Sequence, residues 1–224
     1  MMVQSSSRKD QKMLKSTCLK RDNYRCVVTG FWDAAAEGIV SEETMGDRIM
    51  DTELAHIIPF SMGKYENHVQ EQNIARSWTL YLFFPGIHDF ARISPDDINN
   101  PKNAMSMMSA LHAEFGSLRF ALESTAEDNT YVIQTYPGFR RGLIPDLPLA
   151  NEDNERLVKF EKHSDCDLPS RVLLDTHAAI AKILHLSGKA EDIDRILRDR
   201  EHIRCLASDG STDLEKLLSV YLYS

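Results

Sequence analysis

Hydrophobic runs long enough to cross a bilayer are missing from this 224-residue chain. Its most apolar run, Leu80–Phe84, falls far short of the roughly 20 residues that a spanning helix needs. No membrane association is therefore expected. Cysteine pairs are missing as well. Cys18, Cys26, Cys166 and Cys205 are scattered, with no two at metal-knuckle spacing. The opening residues "MMVQSSSRKDQK" have no apolar core and do not read as a secretory signal. Reduced thiols and an intracellular setting, cytoplasmic or nuclear, are the resulting expectations. A phosphate-cradling glycine loop, a GxSxG elbow and a dinucleotide fingerprint are also absent.

An excess of positive charge is the last thing lacking. Against 26 Lys and Arg stand 34 Asp and Glu, for a net charge of −8. Proteins that hold nucleic acid through its phosphates need concentrated cations. Here one concentration exists, at Arg8, Lys9, Lys12, Lys15, Lys20, Arg21 and Arg25. The 8–25 segment is the candidate contact for a nucleic acid. The stretch from Asp33 to Glu53 is the reverse, with seven carboxylates and a single Arg48.

Turning to what is present, residues 10–22 carry a helical spacing of Met13, Leu14, Thr17, Cys18 and Arg21. "YRCVVTG" (24–30) reads as a short β-branched strand stopped by Gly30. An acidic loop with local helix leads to a strand at 53–58, "ELAHII", which Pro59 ends. Residues 67–84 have an apolar helical face, and an irregular connection containing His88 and Asp89 comes next. "NAMSMMSALHAEF" (103–115) reads as a helix with Asn103 as N-cap and Met105, Met108, Leu111, His112 and Phe115 along one side. "LRFALES" and "TYVIQTY" predict a hairpin across "TAEDN". A proline-rich connection then precedes an amphipathic helix in "PSRVLLDTHAAIAKILHLSG", stopped by Gly188. Its His177 and His185, eight residues apart, read as ordinary packing histidines. Two short helices are expected near 190–203 and 212–222.

His56 on the strand and His112 on the later helix, with Asn103 between them, make a workable site for metal-assisted hydrolysis. One imidazole deprotonates a water, and the other holds a divalent ion that stabilises charge on a phosphate oxygen. The asparagine fixes the base's backbone or its neighbouring loop.

"CLKRDNYRCVVTG" (18–30), "ELAHIIPF" (53–60) and "NAMSMMSALHAEFGSLRFAL" (103–122), in that order, resemble the HNH endonuclease family, and most of all the HNH domains common in fungal proteins. The likeness covers about residues 10–125, and the tail "LPSRVLLDTHAAIAKILHLSG" also resembles the region C-terminal to the domain in that group. It implies an α+β fold, a ββα-metal core with added helices and a helical C-terminal extension. The corresponding organisation is a disordered lead-in (1–9), an HNH-like domain (10–125), and a hairpin strand, connection and helical extension (126–224) packed on the same domain. By motif position the resemblance makes His56 the general base, Asn103 the second signature residue and His112 the metal ligand. The implied activity is hydrolysis of phosphodiester bonds with Mg²⁺ or another divalent ion.

Three positions depart from the family pattern. Ala55 stands where many active members carry an Asp or His that binds the metal. Thr29 removes the second cysteine of a structural knuckle begun by Cys26, and Gly116 replaces an acidic residue after the helix histidine. Asp51, Glu53 and Asp89 are candidate substitutes for the missing carboxylate, and spacing does not select among them. Glu53 should share a side with Ala55 in a regular strand. These departures leave an alternative open. A nuclease-derived scaffold without a metal would serve as a small-molecule enzyme, such as a cyclase or isomerase of a biosynthetic pathway, or as a non-catalytic binding protein. Its ligand would sit in an apolar pocket between the 67–84 and 103–115 segments.

Overall fold

The computed structural model describes residues 8–58 and 98–188. The expected helix over 67–84, the His88–Asp89 connection, Cys205 and the two expected C-terminal helices lie outside the described residues. Helix α1 (Arg8–Arg21) opens the fold. A two-residue strand β1 (Trp32–Asp33), a one-turn helix α2 (Glu42–Met45) and a parallel two-residue strand β2 (Ile49–Met50) form a small satellite around Trp32, Ala36 and Met45. Strand β3 (Thr52–His56) pairs antiparallel with β4 (Ala104–Met108), and helix α3 (Ser109–Gly116) continues from β4 without a loop. Strands β5 (Phe120–Ser124), β6 (Thr130–Thr135) and β7 (Leu157–Lys159) form an antiparallel sheet, over which helix α4 (Arg171–Leu186) packs.

Two expectations are corrected. The segment 103–115 is not one helix: residues 104–108 are a strand, and the helix starts at Ser109. All five strand residues are buried. Met105, Met107 and Met108 enter the main core, while Ala104 packs with Leu14 and Cys18 of α1. A strand covered on both faces reads as an unbroken apolar run, which periodicity cannot tell from a buried helix. Asn103 is correspondingly not the N-cap of α3; Met108 holds that position without a side-chain cap.

The second correction concerns 24–30, which is a tight turn rather than a strand. Asn23 and Tyr24 have φ of 53° and 55°, and Gly30 has φ of 72°, a conformation glycine adopts without steric cost. Gly30 N donates to Cys26 O, and Thr29 N donates to Cys26 Sγ at 3.5 Å. The turn packs Cys26 and Val28 into the main core.

β4 is central because both of its edges are used. One pairs with β3. On the other, Ser106 N donates to Asp22 Oδ2 at 2.9 Å, and Ser106 O accepts from Val27 N at 2.9 Å. The core runs from the 26–31 turn through β3, β4 and α3 to the β5–β6–β7 sheet and Leu173 and Leu174 of α4. His177 and His185 act in packing, as expected. His177 stacks on Phe115 with ring centroids 3.7 Å apart, and His185 stacks on Tyr136 at 4.5 Å.

Candidate active site

β3 is pinned at both ends, and this determines where His56 stands. At its start, Asp33 accepts from Thr52 N at 2.8 Å and from the Thr52 hydroxyl. Lys15 Nζ donates to Thr52 O at 2.7 Å. Burial works to raise the Asp33 carboxyl, but the bonds from Thr52 and Ala35 outweigh it and hold the group below its usual range. At the far end, Asn103 takes over. Its Oδ1 accepts from Ile58 N at 2.8 Å, its Nδ2 donates to Ile58 O at 3.1 Å and to Ile98 O at 3.0 Å, and its own carbonyl accepts from Ile57 N at 2.8 Å. The asparagine is buried, and its amide binds the main chain just beyond His56 rather than the imidazole.

His56 is half-buried at the end of β3, opposite Ala104. Burial pushes its imidazole down to about 4. A hydrogen bond with the Asn99 side chain opposes that shift, and charge on His112 adds to it. The two histidines are thus close enough for the charge of one to be felt by the other. At neutral pH His56 is uncharged and can accept a proton.

His112 lies one turn into α3, with its side chain about one-third exposed. Its Nδ1 is 2.6 Å from Glu53 Oε2. Sequence spacing did not separate Glu53 from Asp51 and Asp89; the packing of α3 on β3 brings Glu53 to the histidine. Ala55, on the same side of β3, is enclosed in the apolar core. Asn99 is the other residue that sequence reasoning passed over, because nothing in "INNPKN" marks one asparagine above its neighbours. Among the described residues no three His, Cys, Asp or Glu side chains cluster as a metal site.

The basic segment is only partly available to a ligand. Arg21 is fully buried and corrected from surface cation to structural tie. It pairs with Asp22 through Nε–Oδ1 at 2.7 Å and Nη2–Oδ2 at 3.0 Å, and donates to the carbonyls of Pro101, Asp167 and Ala104. Lys15 is bound to Thr52, and the Arg25 guanidinium lies 3.7 Å from the centre of the Trp32 ring. Lys12 and Lys20 are exposed. No described helix is long and apolar enough to cross a membrane.

No curated protein and no solved structure matches the chain. The HNH endonuclease family model does, over residues 26–123, a span that contains the 26–30 turn, β3, Asn103, β4, α3 and His112. Residues 26–123 are therefore similar to an HNH endonuclease domain.

Proposed function

We propose that this domain hydrolyses phosphodiester bonds in nucleic acid, with His56 as general base, His112 as the histidine ligand of a divalent ion and Asn103 as the residue that positions the base. One observation carries the reading: a single β3–β4–α3 unit presents both histidines, and Asn103 binds the main chain two residues after His56. Neutral His56 takes a proton from a water as that water approaches phosphorus. Asn103 holds the strand end still, so the imidazole keeps its aim through the reaction. Exposed Lys12 and Lys20 on α1 contribute phosphate contacts at the margin.

HNH nucleases generally use a divalent metal. The donor chemistry fits one here: an imidazole about one-third exposed beside a half-exposed carboxylate, with solvent on the open side to supply water and phosphate oxygens. When bound, such an ion stabilises negative charge on the phosphate and the leaving oxygen. The small-molecule alternative draws its pocket wall from residues 67–84, outside the described residues, and no observation favours it.

The test is cleavage of supercoiled plasmid and of single-stranded RNA by the whole chain in Mg²⁺, Mn²⁺, Ni²⁺ or Zn²⁺. A His56→Ala preparation, purified identically, runs alongside. Metal-dependent cutting that the variant lacks supports the reading. Folded protein that cuts neither substrate with any of the four ions overturns it.

A further inference from the structure

Glu53 touches His112 at one ring nitrogen only, and which nitrogen it is has consequences. An ionised carboxylate accepts hydrogen bonds and donates none. The Glu53 side chain is more than half exposed, so its carboxylate stays open to water. The 2.6 Å contact between its Oε2 and His112 Nδ1 is a hydrogen bond to a carboxylate when the ring proton is on Nδ1. In the neutral ring the lone pair is then on Nε2, for which no hydrogen bond is seen among the described residues. Histidines that bind metals usually donate their other ring N–H to a carboxylate or carbonyl, which sets the tautomer and raises the basicity of the ligating nitrogen.

We propose that Glu53 is a positioning residue for the metal site, which holds His112 as the Nδ1–H tautomer and presents Nε2 to the ion. The inference deepens the phosphodiesterase reading and rests on its assignment of His112 as a ligand. It also bears on Ala55. With no side-chain ligand at position 55, the site leans more heavily on its histidine, and a pre-oriented imidazole made more basic by a carboxylate compensates in part. Glu53 reaches His112 because residue 53 sits on β3 at the register of Met107, just before the chain turns into α3. A neighbouring carboxylate, Asp51, lies outside β3, and its main-chain carbonyl accepts from Ser109 Oγ.

The experiment has two readouts, and the first needs no metal. Long-range ¹H–¹⁵N spectra of the full chain, recorded well above the ordinary histidine titration range, report the tautomer of His112. The wild type is expected to show Nδ1–H. Glu53→Gln, whose amide oxygen still accepts, should keep it, and Glu53→Ala should lose it. The second readout is Mn²⁺ binding monitored by electron paramagnetic resonance. Removing a carboxylate that orients a ligand histidine lowers metal affinity about 10–100-fold. That loss is expected for Glu53→Ala, with Glu53→Gln close to wild type and Asp51→Asn unchanged.

An Nε2–H wild type, a wild type that binds no Mn²⁺, or a Glu53→Ala variant with unchanged tautomer and affinity overturns the proposal. So does a Glu53→Gln variant as weak as Glu53→Ala, which would make Glu53 a direct ligand. If the tautomer and Mn²⁺ results hold while plasmid and RNA stay intact, the nuclease reading alone fails. Cleavage with an unresponsive tautomer overturns this inference alone. Glu53 is exposed, so both variants are expected to fold, which thermal melting checks.

Discussion

Asn103 grips Ile58 by both of its main-chain groups: Oδ1 accepts from Ile58 N at 2.8 Å while Nδ2 donates to Ile58 O at 3.1 Å. A side-chain amide carries an acceptor and a donor on one planar head, so it can complete such a pair where a carboxylate cannot. Asn103→Ala would leave Ile58 N–H, Ile58 C=O and Ile98 C=O short of partners in the interior. With each orphaned buried group costing about 1–3 kcal/mol, a loss of at least about 3 kcal/mol is expected. Asn103→Asp should be no better, because its second oxygen would face two carbonyls. Urea unfolding of the two variants checks this. An Asn103→Asp variant as stable as wild type would show that the amide is not needed as a donor.

Arg21 forms a second tie behind the site. It joins the end of α1 to Pro101, two residues before Asn103, to Ala104 of β4 and to Asp167 near α4. Removing one partner of a buried ion pair leaves the other charge uncompensated, at about 3–5 kcal/mol. Arg21→Met is expected to lose that much in urea unfolding. Arg21→Lys should recover little, since one ammonium cannot reproduce a planar fork that reaches a carboxylate and three carbonyls. Full rescue by lysine would reduce the site to simple charge balance.

His177 makes stability depend on acid. Burial holds its imidazole at about 4 against the ordinary 6.5, and Nδ1 is buried with no hydrogen-bond partner among the described residues. The folded pKa is depressed, so between about 6.5 and about 4 the unfolded chain binds more protons than the native one. Stability is therefore complete above pH 6.5 and falls as pH drops toward 4, by up to roughly 3 kcal/mol from this residue. His56, also held at about 4, acts with the same sign. The check is the urea midpoint from pH 7 to pH 4, in wild type and in His177→Gln. A variant as acid-sensitive as the wild type would place the effect elsewhere.

With His56 as the base proposed above, the same depression sets the pH profile of cleavage. A base must be deprotonated, and His56 is so above about pH 4. The acid limb of kcat/KM, which reports the free enzyme, is expected near 4 rather than 6.5. A bound phosphodiester brings negative charge toward the imidazole and favours its protonated form. The acid limb of kcat should accordingly lie above that of kcat/KM. His56→Ala should lower the rate by about 10²–10⁴-fold. A kcat/KM limb at 6.5 would mean that His56 is not the base or is not buried in solution.

Elements with local causes were the ones legible in the sequence. α1 comes from a three-four spacing, β3 from an apolar run closed by Pro59, the β5–β6 hairpin from alternation around a polar turn, and α4 from amphipathicity ending at Gly188, whose φ is 73°. β7 escaped notice because three residues, with only Val158 buried, carry too short a pattern. Residues 104–108 misled because burial on both faces erases the period that separates strand from helix. The histidines of the site were visible by motif. Asn103 was expected to fix the base's backbone or its loop, and it reaches 45 residues back to Ile58; what spacing did not select is Glu53, which pairs with His112 across 59 residues of chain. Arg21 read as a surface cation for the same reason, as nothing local announces that Asp22, Pro101 and Asp167 enclose it.

Ala55 offers a last test, since restoring an acidic residue there returns the family's usual pattern. In this chain position 55 is fully enclosed, pairs across the sheet with Met105 and belongs to the apolar core. A carboxylate placed there would lose its hydration with no cation opposite, and a buried uncompensated charge costs about 3–5 kcal/mol. Ala55→Asp is therefore expected to lower the urea midpoint in metal-free protein. The loss should shrink as pH falls, because a buried carboxyl takes up its proton more readily than in the unfolded chain. Saturating Mn²⁺ should not recover it if the position faces only core. Recovery of the midpoint by Mn²⁺ would instead show that position 55 opens toward His112, with alanine there the sole obstacle to a second ligand.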